Sequence, residues 1–199
     1  MKNVLEIVNG VISKPVESLF TPDNENILAC VKDALASLLR ARRWKEMIKS
    51  GVCSFHSTEN TNKIIQAIHY NDDFFNICKD YNIYISENEK VIESGFMNLE
   101  GVYSSDNFEI TFYHDVIHIN KSPIGNFKLY YMYQTCIVVY DGDDYSEKTE
   151  VEKDKDIPVF DEKLFEASFK FFYKKMLNEP YADEYDYYQQ QIKNVFNND

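Results

Sequence analysis

The chain predicts an α+β fold in which a helical core, made of N-terminal helices and a C-terminal helical pair, carries a small antiparallel sheet or barrel as an insert. Three observations lead there. Apolar residues recur at helical spacing from 4 to 49 and again from 161 to 196. Short alternating runs joined by polar turns fill the middle, and a strand-like stretch, 127–140, leads through an acidic loop, 141–156, into the closing helices. At 199 residues, 44% hydrophobic and 15% aromatic, the chain is long enough for one good core. A single domain over 1–199 is therefore expected, with 1–50 and 157–196 helical and 52–150 strand-rich.

Val4, Leu5, Val8, Val11 and Ile12 share one helical face, and Pro15 ends that first helix. Pro22-Asp23-Asn24 caps a second, in which Ile27, Val31, Ala34, Leu35, Leu38 and Leu39 recur up to about Lys49, where Gly51 stops the run. Its end is basic, with Arg40, Arg42, Arg43, Lys45 and Lys49 around the single Trp44. VCSFHS reads as a strand, and NKIIQAIHYNDDFFNICKDY as one helix or two short ones about Asn71-Asp72. NIYIS, KVIES, NFEITFY and VIHIN are short strands separated by turn residues. Asp161 caps a helix with Leu164, Phe165, Ser168, Phe169, Phe172 and Met176 on one stripe, broken at Asn178-Glu179-Pro180. In the last helix Tyr181, Tyr185, Tyr188, Ile192 and Val195 share a face, while Asp183, Glu184 and Asp186 sit where the helix dipole favours anions.

A formal charge of −12 and a pI near 4.8 argue against nonspecific affinity for nucleic acid, which needs a Lys/Arg surface that releases counterions. Cysteines 30, 53, 78 and 136 form no CxxC pair and no disulfide framework, so reduced thiols serving as packing residues in a cytosolic setting are expected. Glu6 and Asn9 interrupt the first apolar run, so no signal peptide is expected. The charge-free stretch 129–140 is about half of what a membrane helix needs, so the chain reads as soluble.

The sequence offers no constellation for catalysis and none for a cofactor. His114 and His118 lack a nearby Glu or Cys to complete a metal site. Asp141-Gly142-Asp143-Asp144 resembles part of a calcium loop and Glu152 stands twelfth in it, but the sixth position lacks the required Gly. Asp161-Glu162-Lys163 contains a DxK fragment, which helix capping explains. The six glycines form no phosphate-cradling loop. The chain is read as a non-enzyme that binds other proteins.

Protein-binding residues are sought accordingly in three places. The basic cluster Arg40, Arg42 and Arg43, with Trp44 as an aromatic anchor, is expected to dock an acidic surface. The acidic loop with Asp141, Asp143 and Asp144 is the natural counterpart, its eight acids facing three lysines between 141 and 156. The closing helix is expected to dock Tyr185, Tyr188, Ile192 and Phe196 on a partner, because tyrosine rather than leucine lines its face.

The order of these segments resembles a known family. An opening helix (NVLEIVNGVISKPVESL) precedes a long helix ending in Arg and Trp (ILACVKDALASLLRARRWKEM). A strand-rich insert follows, then a hydrophobic strand with Tyr130-Tyr131, an Ile157-Pro158 turn and a terminal helical pair. Over roughly 3–49 and 127–196 this is similar to the head-to-tail adaptors of tailed bacteriophages, the gatekeeper or upper tail-tube rings below the portal. The closing helix carries Phe and Tyr where those proteins often carry Ala and Arg. The resemblance implies a structural virion protein, made in the host cytoplasm, that forms a cyclic homo-oligomer, commonly a dodecamer, at the head-tail junction. Portal and tail proteins would be its partners, and DNA would pass through the channel without specific binding. A competing expectation from the charge is an acidic DNA mimic, either an inhibitor or an immunity protein, which needs carboxylates spread over one face.

Overall fold

A computed structural model describes residues 1–58, 66–69, 73–113 and 116–197, without the side chains of Glu46, Gln66, His69, Phe196 and Asn197. The chain divides into two compact units, one formed by 1–43 together with 137–199 and the other by 44–136.

In the first unit, α1 (Val4–Val11) starts at a reciprocal cap. The Asn3 side chain accepts from the Glu6 amide at 2.8 Å and the Glu6 carboxylate accepts from the Asn3 amide at 3.0 Å. Asn9 then bonds both the amide and the carbonyl of Val16, fixing the chain as it turns back after Pro15. A short 3-10 turn, Pro22–Asn24, leads into α2 (Glu25–Ala41), which buries Cys30, Val31, Ala34, Leu35, Leu38 and Leu39. The last third of the chain supplies the rest. Short strands β10 (Val139–Tyr140), β11 (Glu147–Lys148) and β12 (Ile157–Pro158) form a three-stranded antiparallel sheet, and α3 (Glu162–Met176) and α4 (Ala182–Asn197) complete the unit. Asp161 caps α3 by accepting from the Lys163 and Leu164 amides. The α2 and α3 backbones approach closely enough for the Ser168 hydroxyl to donate to the Ala34 carbonyl at 3.2 Å.

The second unit is a sheet structure. Strands β1 (Ile48–Ser57), β9 (Gly125–Thr135), β4 (Ile83–Glu87) and β5 (Lys90–Gly95) lie in that order, with β3 (Phe74–Ile77) also pairing with β9. A second sheet runs β2 (Gln66–His69), β8 (Val116–Lys121), β7 (Glu109–Phe112), β6 (Val102–Ser104). Every pairing is antiparallel. Inward residues of both sheets make one core, in which Phe108 meets Phe55 and Phe127 edge to face and Phe112 meets Tyr131.

The predicted fold class needs correction. Among the described residues the protein is mixed, with four α-helices and twelve strands in three antiparallel sheets. The helices are not a dominant core, and the sheets are not a small insert, because the strands bury a large aromatic core of their own. The stretch expected to be helical before Tyr81 contains strands β2 and β3 in its described part, drawn into pairing by β8 and β9. The run 127–140 is not one strand, since β9 ends at Thr135 and β10 belongs to the other unit.

Helix α2 also ends earlier than its sequence pattern implies. Arg42 is extended, with φ −161° and ψ 173°, and Trp44 and Lys45 lie beyond the helix. Gly51 is no helix stop; it sits in β1 because the Tyr131 ring occupies the space of a side chain there. A Cβ on Gly51 would lie 2.3 Å from that ring.

Two glycine substitutions should therefore act in opposite directions. Gly51→Ala forces the buried Tyr131 ring aside and is expected to cost about 1–3 kcal/mol by overpacking. Gly10→Ala, in α1 with open space around it, should stabilise by about 0.5–1 kcal/mol through helix propensity. Urea denaturation of the two variants beside the parent checks both signs.

Candidate functional site

The helical unit brings three of the expected contact residues to one place. A cleft of about 400 Å³ lies between α2 and α4, lined by Asp33, Ser37 and Arg40 on one side and Tyr188, Gln189 and Ile192 on the other, and also by Phe172 of α3. The 3.6-residue period explains the grouping. Asp33, Ser37 and Arg40 are separated by four and three residues, as are Tyr188 and Ile192, so each set faces the cleft from one helix. Arg40 is exposed at the rim and makes no hydrogen bond or ion pair among the described residues. The cleft thus presents an uncommitted guanidinium, an exposed carboxylate from Asp33 and the apolar side chains of Phe172 and Ile192.

Tyr188 does not belong to a detachable docking face. It is 2% exposed, its hydroxyl lies 2.9 Å from the Ser37 hydroxyl, and its ring stacks on Phe171. Burial pushes its phenol above the usual tyrosine range. The sequence treats the tyrosines of the closing helix as alike, but the structure separates them: Tyr188 is inside, while Tyr181, Tyr185 and Tyr187 are 41–49% exposed. Tyr181 and Tyr185 still rest partly on the Phe171 ring. Ile192 is half-buried, and the side chain of Phe196 lies outside the described residues. Glu184 and Lys174 form an ion pair joining α4 to α3, and the ammonium lowers the Glu184 pKa.

The remaining residues are dispersed. Trp44 is 5% exposed, so it is no surface anchor, and Arg42 and Arg43 both have interactions within the chain. The three lysines of the acidic loop pair with four of its eight acids. Lys148 Nζ stands 2.8 Å from Asp141, 3.1 Å from Glu152 and 3.3 Å from Asp156, whose side chain is wholly buried. Lys153 bridges Asp141 and Asp143 at 2.9 and 3.2 Å, and Lys155 reaches Asp143 at 3.4 Å. Asp144 instead caps a turn by accepting from the Ser146 amide at 2.8 Å. Asp156 also accepts from the Glu152 and Lys153 amides, which folds the loop around it. The sequence signal for this arrangement was the three lysines among the acids, with Lys148 and Glu152 four apart.

These ties also explain the fate of the partial calcium pattern: the Asp141 and Asp143 oxygens are occupied by ammonium groups and a backbone amide. His118 packs edge-on against Tyr113, with centroids 4.7 Å apart, and His114 lies outside the described residues. Among the described residues no group of His, Cys, Asp and Glu has the arrangement of a metal site. The cysteines are free, and burial raises the Cys53 thiol to about 12 and the Cys30 thiol to about 11, which leaves both protonated near neutral pH. Among the described residues no helix is long and apolar enough to cross a membrane.

The loop makes stability depend on pH in a defined direction. Lys148 and Lys153 hold the Asp141 carboxyl below its ordinary value, so the native state releases that proton more readily than the unfolded chain does. This stabilisation is complete above the unfolded carboxylate value of about 4 and is lost as pH falls through the lower native value. The urea midpoint should therefore decline as pH drops below about 4. Lys148→Met should lower the midpoint at neutral pH and flatten that decline, because it removes the main cause of the Asp141 shift. An unchanged acid limb in Lys148→Met would show that other carboxylates govern it.

No protein-family model matches the chain, and no curated protein matches it either.

Proposed function

We propose that the protein is a ring-forming structural subunit of a tailed-bacteriophage head-tail junction, extending the DNA channel between portal and tail. The observation that carries this reading is the α2/α4 cleft. A ring of identical subunits requires a heterologous contact, in which one surface receives a different surface of the next copy. The cleft supplies a receiving surface with mixed polar and apolar lining, built from residues of α2 and α4 with Phe172 of α3. Further support comes from where the family resemblance falls. The opening and closing stretches that carry it are far apart in sequence and belong largely to one compact unit, with the sheet unit inserted between Arg43 and Ile137.

On this reading the assembly is a closed homo-oligomer, commonly of twelve, located in the virion and bound to the portal and tail proteins. The net charge of −12 suits a conduit through which DNA passes without being held. A DNA mimic, by contrast, must leave its carboxylates open to a basic partner. The loop carboxylates Asp141, Asp143 and Asp156 are bound to lysines of the same loop, which makes these three less accessible to a basic partner.

Electron microscopy or mass photometry of the purified protein, with and without portal, tests the assignment, and rings are the expected result. A chain that stays monomeric with every virion partner present would overturn it. Arg40→Glu and Tyr185→Ala, both at exposed positions of the helical unit, should keep the cooperative thermal transition of the parent and reduce ring formation. Tyr188→Ala should behave differently, costing about 3–5 kcal/mol of stability because a buried aromatic ring is lost. Calorimetry beside the assembly assay separates the two classes.

A further inference from the structure

We infer that the sheet unit carries a binding site for a phosphate group, in a cleft of about 420 Å³ formed by β1, β9, β4 and the β4–β5 turn, with Phe55 and Phe127 also in its lining. The pairing register builds it. Lys128 on β9 lies opposite Ser54 on β1 and opposite Ser86 on β4, so one lysine is flanked across the sheet by two hydroxyls. One step along, His56 faces Asn126 on the same outer surface, and both also line the cleft. The β4–β5 hairpin closes the end with Asn88 and Glu89, both at positive φ, 50° and 65°.

Two independent features mark this cleft as a ligand site. Ser86 is 3% exposed, and its Oγ has no hydrogen-bond partner. A buried hydroxyl left unpaired costs free energy that an arriving acceptor would recover. Lys128 is exposed and has no hydrogen bond or ion pair among the described residues, although the chain is strongly acidic. An uncommitted ammonium with hydroxyls on both neighbouring strands and an amide two residues along its own strand makes a donor set within one cleft. It matches a tetrahedral oxyanion, for which lysine serves as the point charge. Glu89 in the lining repels a dianion and limits its affinity.

The phosphate can arrive free or as a monoester. Two residues further along the same strands, Val52, Tyr130 and Tyr84 form an exposed cross-strand row, about 7 Å from the lysine row at strand spacing. A ring esterified to the phosphate would reach that row, whereas free phosphate would not touch it.

Calorimetric titration of the full chain with inorganic phosphate and, separately, with phenyl phosphate tests the site. Binding is expected for both, weakened about tenfold or more in Lys128→Ala and also weakened in Ser86→Ala. Glu89→Gln should strengthen it. Tighter binding of phenyl phosphate that falls to the level of inorganic phosphate in Tyr130→Ala identifies a ring-bearing monoester as the ligand. Equal binding of the two identifies the free ion. Absence of heat with both probes, or affinity unchanged in Lys128→Ala with the fold intact by circular dichroism, overturns the proposal. Weaker rather than stronger binding in Glu89→Gln would also count against it.

Discussion

The architecture depends on the ladder between β1 and β9. The chain enters the sheet unit just after Arg43 and leaves it at Cys136, and its first and last long strands run antiparallel in unbroken register from Ile48 against Gln134 to Ser57 against Gly125. Entry and exit are therefore neighbours. A segment of this length can be inserted into a helical unit at modest cost, since the entropy of closing a loop grows only slowly with its length. The same ladder positions Phe55, Phe127, Leu129 and Tyr131 for the aromatic core and, on the opposite face, Ser54 and Lys128 for the outer cleft. Alternation along a strand makes core and surface site two consequences of one register.

In the helical unit the corresponding constraint is the folded acidic loop. Its buried Asp156 gathers Lys148 and two amides, and its backbone carbonyls at Asp156 and Asp154 accept from the Val4 and Leu5 amides at the start of α1. The Asp154 carboxylate takes the Leu19 amide at 2.7 Å. Gly142 allows the turn to close, because a Cβ there would lie 2.1 Å from the Lys155 carbonyl oxygen. A segment that looks like a solvated charge run is in fact what fastens the N-terminal helix to the last third of the chain. Ion pairs with little exposure resist salt screening better than those on an open surface.

The two clefts differ in the charged groups they present. The α2/α4 cleft combines Phe172, Tyr188 and Ile192 with an exposed guanidinium and an exposed carboxylate, a mixture found on surfaces that receive another protein. The sheet cleft sets the hydroxyl, amide and ammonium groups of Ser54, Ser86, Asn126 and Lys128 beside Phe55 and Phe127, a few polar groups among apolar ones as in many small-ligand sites. They lie in separate units, so a structural role for one unit and ligand recognition by the other do not compete.

The sequence by itself determined the helices at both ends, most of the short strands and the Asn178-Glu179-Pro180 break, because periodicity, caps and turn residues are local properties. It did not determine the balance between sheet and helix. The stretch before Tyr81 has a helical apolar period, yet its described part became strands because β8 and β9 offered partners, and Gly51 entered a strand because a distant tyrosine ring needed its space. The candidate residues divide in the same way. Arg40 and Ile192 could be named from helical spacing, but only the packing of α4 on α2 and α3 put them around one cleft and buried Tyr188 between. Lys128, Ser54 and Ser86 carried no signal, since they are scattered over three strands and meet only through register. Tertiary structure decided them because cross-strand neighbours are set by hydrogen-bonded pairing between distant segments, which no local pattern encodes.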